Sequence, residues 1–220
     1  MPDLRWEDGV PVSAEFDDPY YSRADGLAET RHVFLDGNDL PARWEGRKQF
    51  DIAELGFGTG LNFCAAWSAW EASGATGRLK FTSFELHPLG ADEIGEALSV
   101  WPELATYRDR LVAAWTPQGG TFEFGPISLN VITGDVRETL PRWSGKADAW
   151  FLDGFAPSRN PAMWQEDVMA AVAGASAPKA TFATYTVAGF VRRGLASAGY
   201  TPEKRSGFGA KREMLTGYLK

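Results

Sequence analysis

The feature that most limits what this chain can become is a short run, Glu54-Leu55-Gly56-Phe57-Gly58-Thr59-Gly60-Leu61-Asn62. It follows Phe50–Leu55, an apolar stretch that reads as a strand. It precedes Leu61–Ser73, where Leu61, Cys64, Ala65, Trp67 and Trp70 recur at helical spacing until Gly74 stops them. A strand, a glycine turn and a helix in that order build the crevice in which open α/β sheets bind ligands. Glycine allows the tight turn and lets a ligand approach the backbone where a Cβ would collide. Two common ligands are excluded. The dinucleotide fingerprint G-x-G-x-x-G needs glycine at position 61, which is Leu61, and a phosphate loop needs a Gly-Lys-Ser/Thr that does not follow.

The alternation continues downstream. Leu79–Leu86 is a strand, and helices are expected over about 89–100 and 102–114. Thr121–Phe124 and Ile127–Thr133 flank Gly125-Pro126 as a hairpin. Ala147–Asp153 is a strongly apolar strand, and Asn160-Pro161 opens a helix, since proline suits a first turn. Lys179–Tyr185 is a strand and Ala188–Ala198 a helix; Tyr200–Lys204 and Glu213–Lys220 are closing strands. Repeated β-α units that end in two strands close in sequence predict an α/β, Rossmann-like, mostly parallel seven-stranded sheet with an antiparallel strand near the edge. That domain is expected over residues 50–220. Residues 1–49 form an N-terminal extension, with a hairpin over Leu4–Ser13 about Asp8-Gly9.

Bulk properties remove other classes. No apolar run reaches the ~18–20 residues of a membrane helix, and the first residues lack the basic start and apolar core of a signal peptide. The single Cys64 rules out an internal disulfide and a cysteine zinc site, and His32 and His87 do not form a ligand-spaced cluster, so no metal is expected. A cytoplasmic enzyme follows as the expectation. The formal net charge of −7 argues against a broadly basic surface, which would restrict any nucleic-acid contact to a local patch. The candidates are Arg192, Arg193, Lys204, Arg205, Lys211 and Arg212, late in the chain; a solvated surface is the alternative reading of the same residues.

Three acids stand where chemistry would need them. Glu85 closes the strand after the glycine turn, 25 residues beyond Gly60, where a nucleoside ligand needs an acceptor for its ribose hydroxyls. Asp135, after Gly134 at the end of the next strand, could accept from an adenine amino group; it would equally cap the following helix. Asp153 ends an otherwise apolar strand and is followed by Gly154-Phe155-Ala156-Pro157, where no structural rule asks for a carboxylate.

The glycine turn preceded by Glu54 resembles that of methyltransferases, in which a ligand's amino-acid end lies over the turn. The resemblance extends along nearly the whole chain. Its blocks are Phe16–Ser22, Asp25–Leu35, Gly56–Phe63, Trp150–Pro157 and Gly207–Met214, and they resemble the tRNA 5-methylaminomethyl-2-thiouridine methyltransferase family, known as the methyltransferase domain of bifunctional MnmC or as stand-alone MnmD. The resemblance implies that S-adenosyl-L-methionine methylates the primary amine of 5-aminomethyl-2-thiouridine at the tRNA wobble position, leaving S-adenosylhomocysteine. It implies Asp153 and Phe155 as the catalytic pair. Tyr20, Gly26, Glu29, Glu54, Gly56, Phe57, Gly58, Gly60, Asn62, Glu85, Gly134, Asp135 and Asp153 would hold the cofactor, with the lead-in folded over the cleft.

It also implies no FAD in this chain; a flavin-dependent oxidase domain or protein would act in the preceding step. An alkylamine must be neutral to attack. Desolvation by whichever of Phe57, Trp150, Phe155 and Tyr185 line the cavity would favour that form, while Asp153 would orient the nitrogen and accept its proton. Two alternatives share the fold: an aminopropyltransferase acting on a small polyamine, and a non-catalytic RNA-binding module.

Overall fold

The computed structural model describes residues 3–220, so Met1 and Pro2, the start of the expected extension, lie outside the described residues. The chain opens with the hairpin β1 (Leu4–Glu7) and β2 (Val10–Ser13), whose turn residues Asp8 and Gly9 have φ of 50° and 78°. Both values are positive, as a two-residue turn matched to strand twist requires. A short β3 (Asp18–Pro19) pairs with β2, completing a three-stranded antiparallel sheet. The helix α1 (Gly26–Thr30) is capped by Asp25, which accepts from the Ala28 N–H at 3.0 Å. It runs on as a wider helical segment through Leu35. Leu27, Val33, Phe34, Leu40 and Trp44 from this lead-in are all buried in the main core.

The main sheet contains β4 (Gln49–Leu55), β5 (Arg78–Glu85), β6 (Gly120–Phe124), β7 (Ile127–Thr133), β8 (Ala147–Leu152), β9 (Ser176–Thr184), β10 (Tyr200–Ser206) and β11 (Glu213–Leu219). Their order is β10-β11-β9-β8-β4-β5-β7-β6. β7, β5, β4, β8 and β9 are parallel, and β11 is inserted antiparallel between β9 and β10. The expected seven strands thus become eight. The extra one is β6, the first arm of the predicted hairpin, which pairs antiparallel with β7 because Phe122 and Phe124 both point inward and are buried.

The helices are α2 (Leu61–Ala72), α3 (Ala91–Leu98), α4 (Ala105–Ala114), α5 (Val136–Thr139), α6 (Glu166–Gly174) and α7 (Gly189–Ser197). The helix expected to open at Pro161 is split: a single tight turn, Pro161–Trp164, is separated from α6 by extended Gln165. Successive residues of a strand face opposite ways. Accordingly Ile52, Phe81 and Phe151 enter one core with α2, and Ala53, Leu55, Trp150 and Leu152 enter a second on the other face. Among the described residues no helix is long and apolar enough to cross a membrane.

Strand order reverses between β4 and β8. Register sets Leu55 opposite both Phe84 of β5 and Leu152 of β8. The residues that follow, Gly56 and Asp153, therefore emerge side by side at the C-terminal edge, where open sheets bind ligands.

Candidate active site

A cavity of about 370 Å³ opens at this edge, walled by the glycine turn, the ends of β5, β8 and β9, and the lead-in. The turn owes its shape to glycine at two critical points. Gly56 has φ 86°, and a Cβ there would stand 3.1 Å from the Asp153 carbonyl oxygen. Gly58 has φ 52°, and a Cβ would stand 3.2 Å from the Tyr20 ring. At both points a Cβ would crowd protein atoms, so the turn can pack this closely against the end of β8 and Tyr20 only as glycine. Glu85 braces the turn: one carboxylate oxygen accepts from the Gly58 N–H at 3.0 Å, the other from the His87 N–H at 2.8 Å. Each oxygen keeps a lone pair for a ligand hydroxyl.

Beneath the turn lies a polar cluster assembled from five elements, α1, α2, β4, β5 and the end of β8. Asn62, on the first turn of α2, uses both amide hydrogens: one goes to Glu54 at 2.9 Å and the other to Asp153 Oδ2 at 2.8 Å. Its own carbonyl accepts from Thr30 at 2.8 Å, and Glu54 also accepts from Ser83 at 2.7 Å. Glu54 is wholly buried, and burial pushes its carboxyl well above the usual range; the Ser83 and Asn62 donors oppose the rise without reversing it. Asp153 is partly buried and faces the cavity. Its Oδ1 accepts from the Gly154 N–H at 2.9 Å. Burial raises its pKa to about 7, against the lowering effect of Asn62 and Gly154; Glu29 adds to the rise and Lys211 offsets it.

The loop after Asp153 is fixed by aromatic and backbone contacts. Phe155 stacks on Phe16 at 4.7 Å and meets Tyr20 edge-on at 5.1 Å. Asp18 accepts from the Ala156 N–H at 2.7 Å, and the Tyr185 hydroxyl donates to the Gly154 carbonyl at 2.6 Å. Across the opening Lys211 pairs with Glu29 at 2.9 Å and holds its ammonium 4.1 Å from the Tyr185 ring centre.

Tyr20, Gly26, Glu29, Gly56, Phe57, Gly58, Asn62, Glu85, Asp153 and Phe155 are brought together on the cavity wall, as are Tyr185 and Lys211. Glu54 and Gly60 lie behind that wall. Trp150 is buried on the far face of the sheet, where its indole N–H reaches Ser176. Gly134 and Asp135 are also off the wall; Asp135 forks onto Arg137 and caps α5 through the Arg137 N–H, and the guanidinium holds its carboxyl below the ordinary range.

The basic cluster divides. Lys204 is engaged by Glu213 at 2.7 Å, Arg205 by Asp39 at 3.3 Å, and Lys211 by Glu29. Arg192, Arg193 and Arg212 are exposed and form no ion pair among the described residues. Sequence reasoning singled out neither Phe16 nor Asp18, and it grouped Lys211 with the candidate nucleic-acid contacts and not with the cavity wall. Phe16 and Asp18 belong to the Phe16–Ser22 block, and Lys211 to the Gly207–Met214 block.

The β7-β5-β4-β8-β9-β11-β10 order, with a glycine turn at the reversal and acids ending β5 and β8, is the architecture of a Rossmann-like, class I methyltransferase. Comparison with known proteins narrows the class. The chain belongs to the S-adenosyl-L-methionine-dependent methyltransferase family, whose sequence profile matches residues 102–220. It is 48% identical over 224 residues to the tRNA 5-methylaminomethyl-2-thiouridine biosynthesis bifunctional protein MnmC of Caulobacter sp. (strain K31), covering 96% of this chain and 37% of that protein. With the protein of the same name from Methylobacillus flagellatus it shares 49% identity, covering 97% of this chain and 34% of the relative. The chain thus spans about a third of the length of these curated relatives. The crystal structure of MNMC2 from Aquifex aeolicus has the same fold, with a TM-score of 0.81 at 23% identity, covering 100% of this chain and 71% of that one.

Proposed function

We propose that this chain uses S-adenosyl-L-methionine to methylate the primary amine of 5-aminomethyl-2-thiouridine at the tRNA wobble position, giving 5-methylaminomethyl-2-thiouridine and S-adenosylhomocysteine. The observation that carries this reading is Asp153: a carboxylate clamped by two donors at a strand end, open to a cavity and poised near neutrality. The names of the MnmC relatives support the choice of nucleoside. The residues present fit the cofactor. Gly56 and Gly58 present bare backbone on the cavity wall over which its amino-acid end would lie, and Glu85 offers acceptors for a ribose diol.

When bound, the cofactor supplies a methyl group on a sulfonium. The chain's work is to present a neutral amine in line with it. Asp153 would hydrogen-bond the nitrogen and take the proton it sheds on methyl transfer. Phe155, Tyr185 and Phe57 exclude water, which favours the neutral amine before attack. The lead-in covers the cofactor through Tyr20, Gly26 and Glu29, and Arg192, Arg193 and Arg212 are the phosphate contacts. As the bifunctional relatives are about three times longer, a flavin-dependent oxidase acting in the preceding step is the partner this reading expects, in the cytoplasm.

The test is transfer of labelled methyl to tRNA from cells lacking this methylation, followed by nucleoside analysis. Label in 5-methylaminomethyl-2-thiouridine is expected, with a loss of at least about 100-fold in Asp153→Ala while cofactor binding persists, since a positioned acid–base group contributes about 10²–10⁴. Near-normal turnover by Asp153→Ala would overturn the role given to the carboxylate.

A further inference from the structure

A second depression lies beside the cavity, bounded by Pro157 and Ser158 on one side and by the Thr186–Phe190 turn on the other, with Arg212 along its edge. It shares Ala156, Tyr185 and Lys211 with the cavity wall, so the two adjoin and Lys211 stands at their boundary. Its floor is apolar and open. Phe190 is 42% exposed and Val187 37%, among only five large apolar side chains that stand out to this degree among the described residues. Its charged lining is Lys211, Arg212 and Glu213, the last engaged by Lys204, so among the described residues Arg212 is the lining cation left unpaired. Arg193 lies just outside the lining, its guanidinium beside Gly189, the neighbour of Phe190. Lys204 and Arg205, by contrast, are spent on Glu213 and Asp39. An exposed ring, small neighbours and unpaired arginines at the exit of a catalytic cavity match the way unstacked RNA bases are held: a base face on an aromatic ring, its phosphate on arginine.

We infer that this depression binds the nucleotide adjacent to the methylated one in the same strand, its base stacked on Phe190 and its phosphate held by Arg212 and Arg193. The inference rests on the RNA-methylation reading; it adds Phe190 and assigns two of that reading's phosphate contacts, Arg193 and Arg212, to one nucleotide. A uridine buried in the cavity must be turned out of its stack, which exposes the face of its neighbour. A ring at the cavity exit recovers part of that lost stacking. Such a contact tolerates any base, because every base has a π face.

The experiment compares the wild type with Phe190→Ala, Phe190→Trp and Arg212→Gln on two acceptors, an anticodon stem-loop carrying 5-aminomethyluridine and the free 5-aminomethyluridine nucleoside. Stem-loop binding in the presence of S-adenosylhomocysteine is followed by fluorescence anisotropy. Phe190→Ala should raise the stem-loop KM and Kd about tenfold, within the range of a lost base–aromatic stack. Phe190→Trp should retain wild-type values, and neither should alter kinetics on the nucleoside. Arg212→Gln should lower the salt slope of stem-loop binding by about one. A Phe190→Ala stem-loop Kd within twofold of wild type overturns the inference, and so does an equal loss on both acceptors. If the wild type binds the stem-loop through Phe190 but methylates neither acceptor, the docking site stands and the amine-methylation reading falls.

Discussion

Asn62→Ala isolates the device that sets the ionisation of Asp153. Two donors hold the Asp153 carboxylate, the Asn62 amide at 2.8 Å and the Gly154 N–H at 2.9 Å, and burial still outweighs them to leave the pKa about 7. Both donors lower the pKa, so deleting Asn62 must raise it. A hydrogen bond to a charged group is worth about 1.5–3 kcal/mol, or roughly one to two pH units. The open face of the cavity screens the carboxylate and favours the lower figure, about one unit. The acid limb of the rate profile should therefore move from near 7 to about 8.

At pH 7 the ionised fraction falls from about a half to about a tenth, a roughly fivefold slower rate. Near pH 9.5 the two proteins should converge. The assay is a pH profile of kcat/KM for methyl transfer to a 5-aminomethyluridine acceptor, which reports the free enzyme, with the titration of Asp153 followed by carboxyl ¹³C shift. The free acceptor's amine titrates identically in both experiments, so the displacement between their profiles reports the carboxylate. A limb that stays in place, or a rate loss by the same factor at every pH, would refute the reasoning and leave Asn62 as a purely structural residue.

Three further outcomes follow from the same geometry. Gly58→Ala puts a methyl group 3.2 Å from the Tyr20 ring at φ 52°, and should weaken S-adenosylhomocysteine binding about tenfold or more by calorimetry; unchanged affinity would show that the turn yields easily. Glu85→Ala removes both the acceptors for Gly58 and His87 and the proposed ribose contact, and should cost cofactor affinity by a similar factor while the protein stays folded by circular dichroism. Neutralising Arg192 and Arg193 together should weaken tRNA binding and flatten its salt dependence by about two, whereas neutralising Lys204 and Arg205, which are already paired, should change little. Equal effects from the two pairs would mean that the ion pairs open on binding.

The sheet was legible because covered parallel strands must be apolar along their length and helices must repeat at 3.6 residues. Glycines at 56, 58 and 60 mark the switch point in the sequence itself. The position of β11 inside β10 could not be read from a terminal strand pair, because pairing order is a tertiary choice, and the β6 arm was recognised as a hairpin without being counted into the sheet. At the site, Glu85 and Asp153 were legible from their strand-end positions. The division of labour between Glu54 and Asn62 was not: an acid before a glycine turn gives no sign of whether it faces a ligand or, as here, anchors an amide from below. The pairing of Lys211 with Glu29 was equally hidden, because 182 positions separate them.

The placement of β11 also bears on how the protein is made. β10 is synthesised first yet lies outermost, and it joins the sheet only through β11, which pairs with β10 on one side and β9 on the other. Lys211, which bridges back to Glu29 in the lead-in, is synthesised just before that same strand. On the ribosome the chain therefore carries its glycine turn, Glu85 and Asp153 well before the last strand locks the sheet and the latch over the cavity can close. The parts of the site are thus made before the strand and the latch that close it.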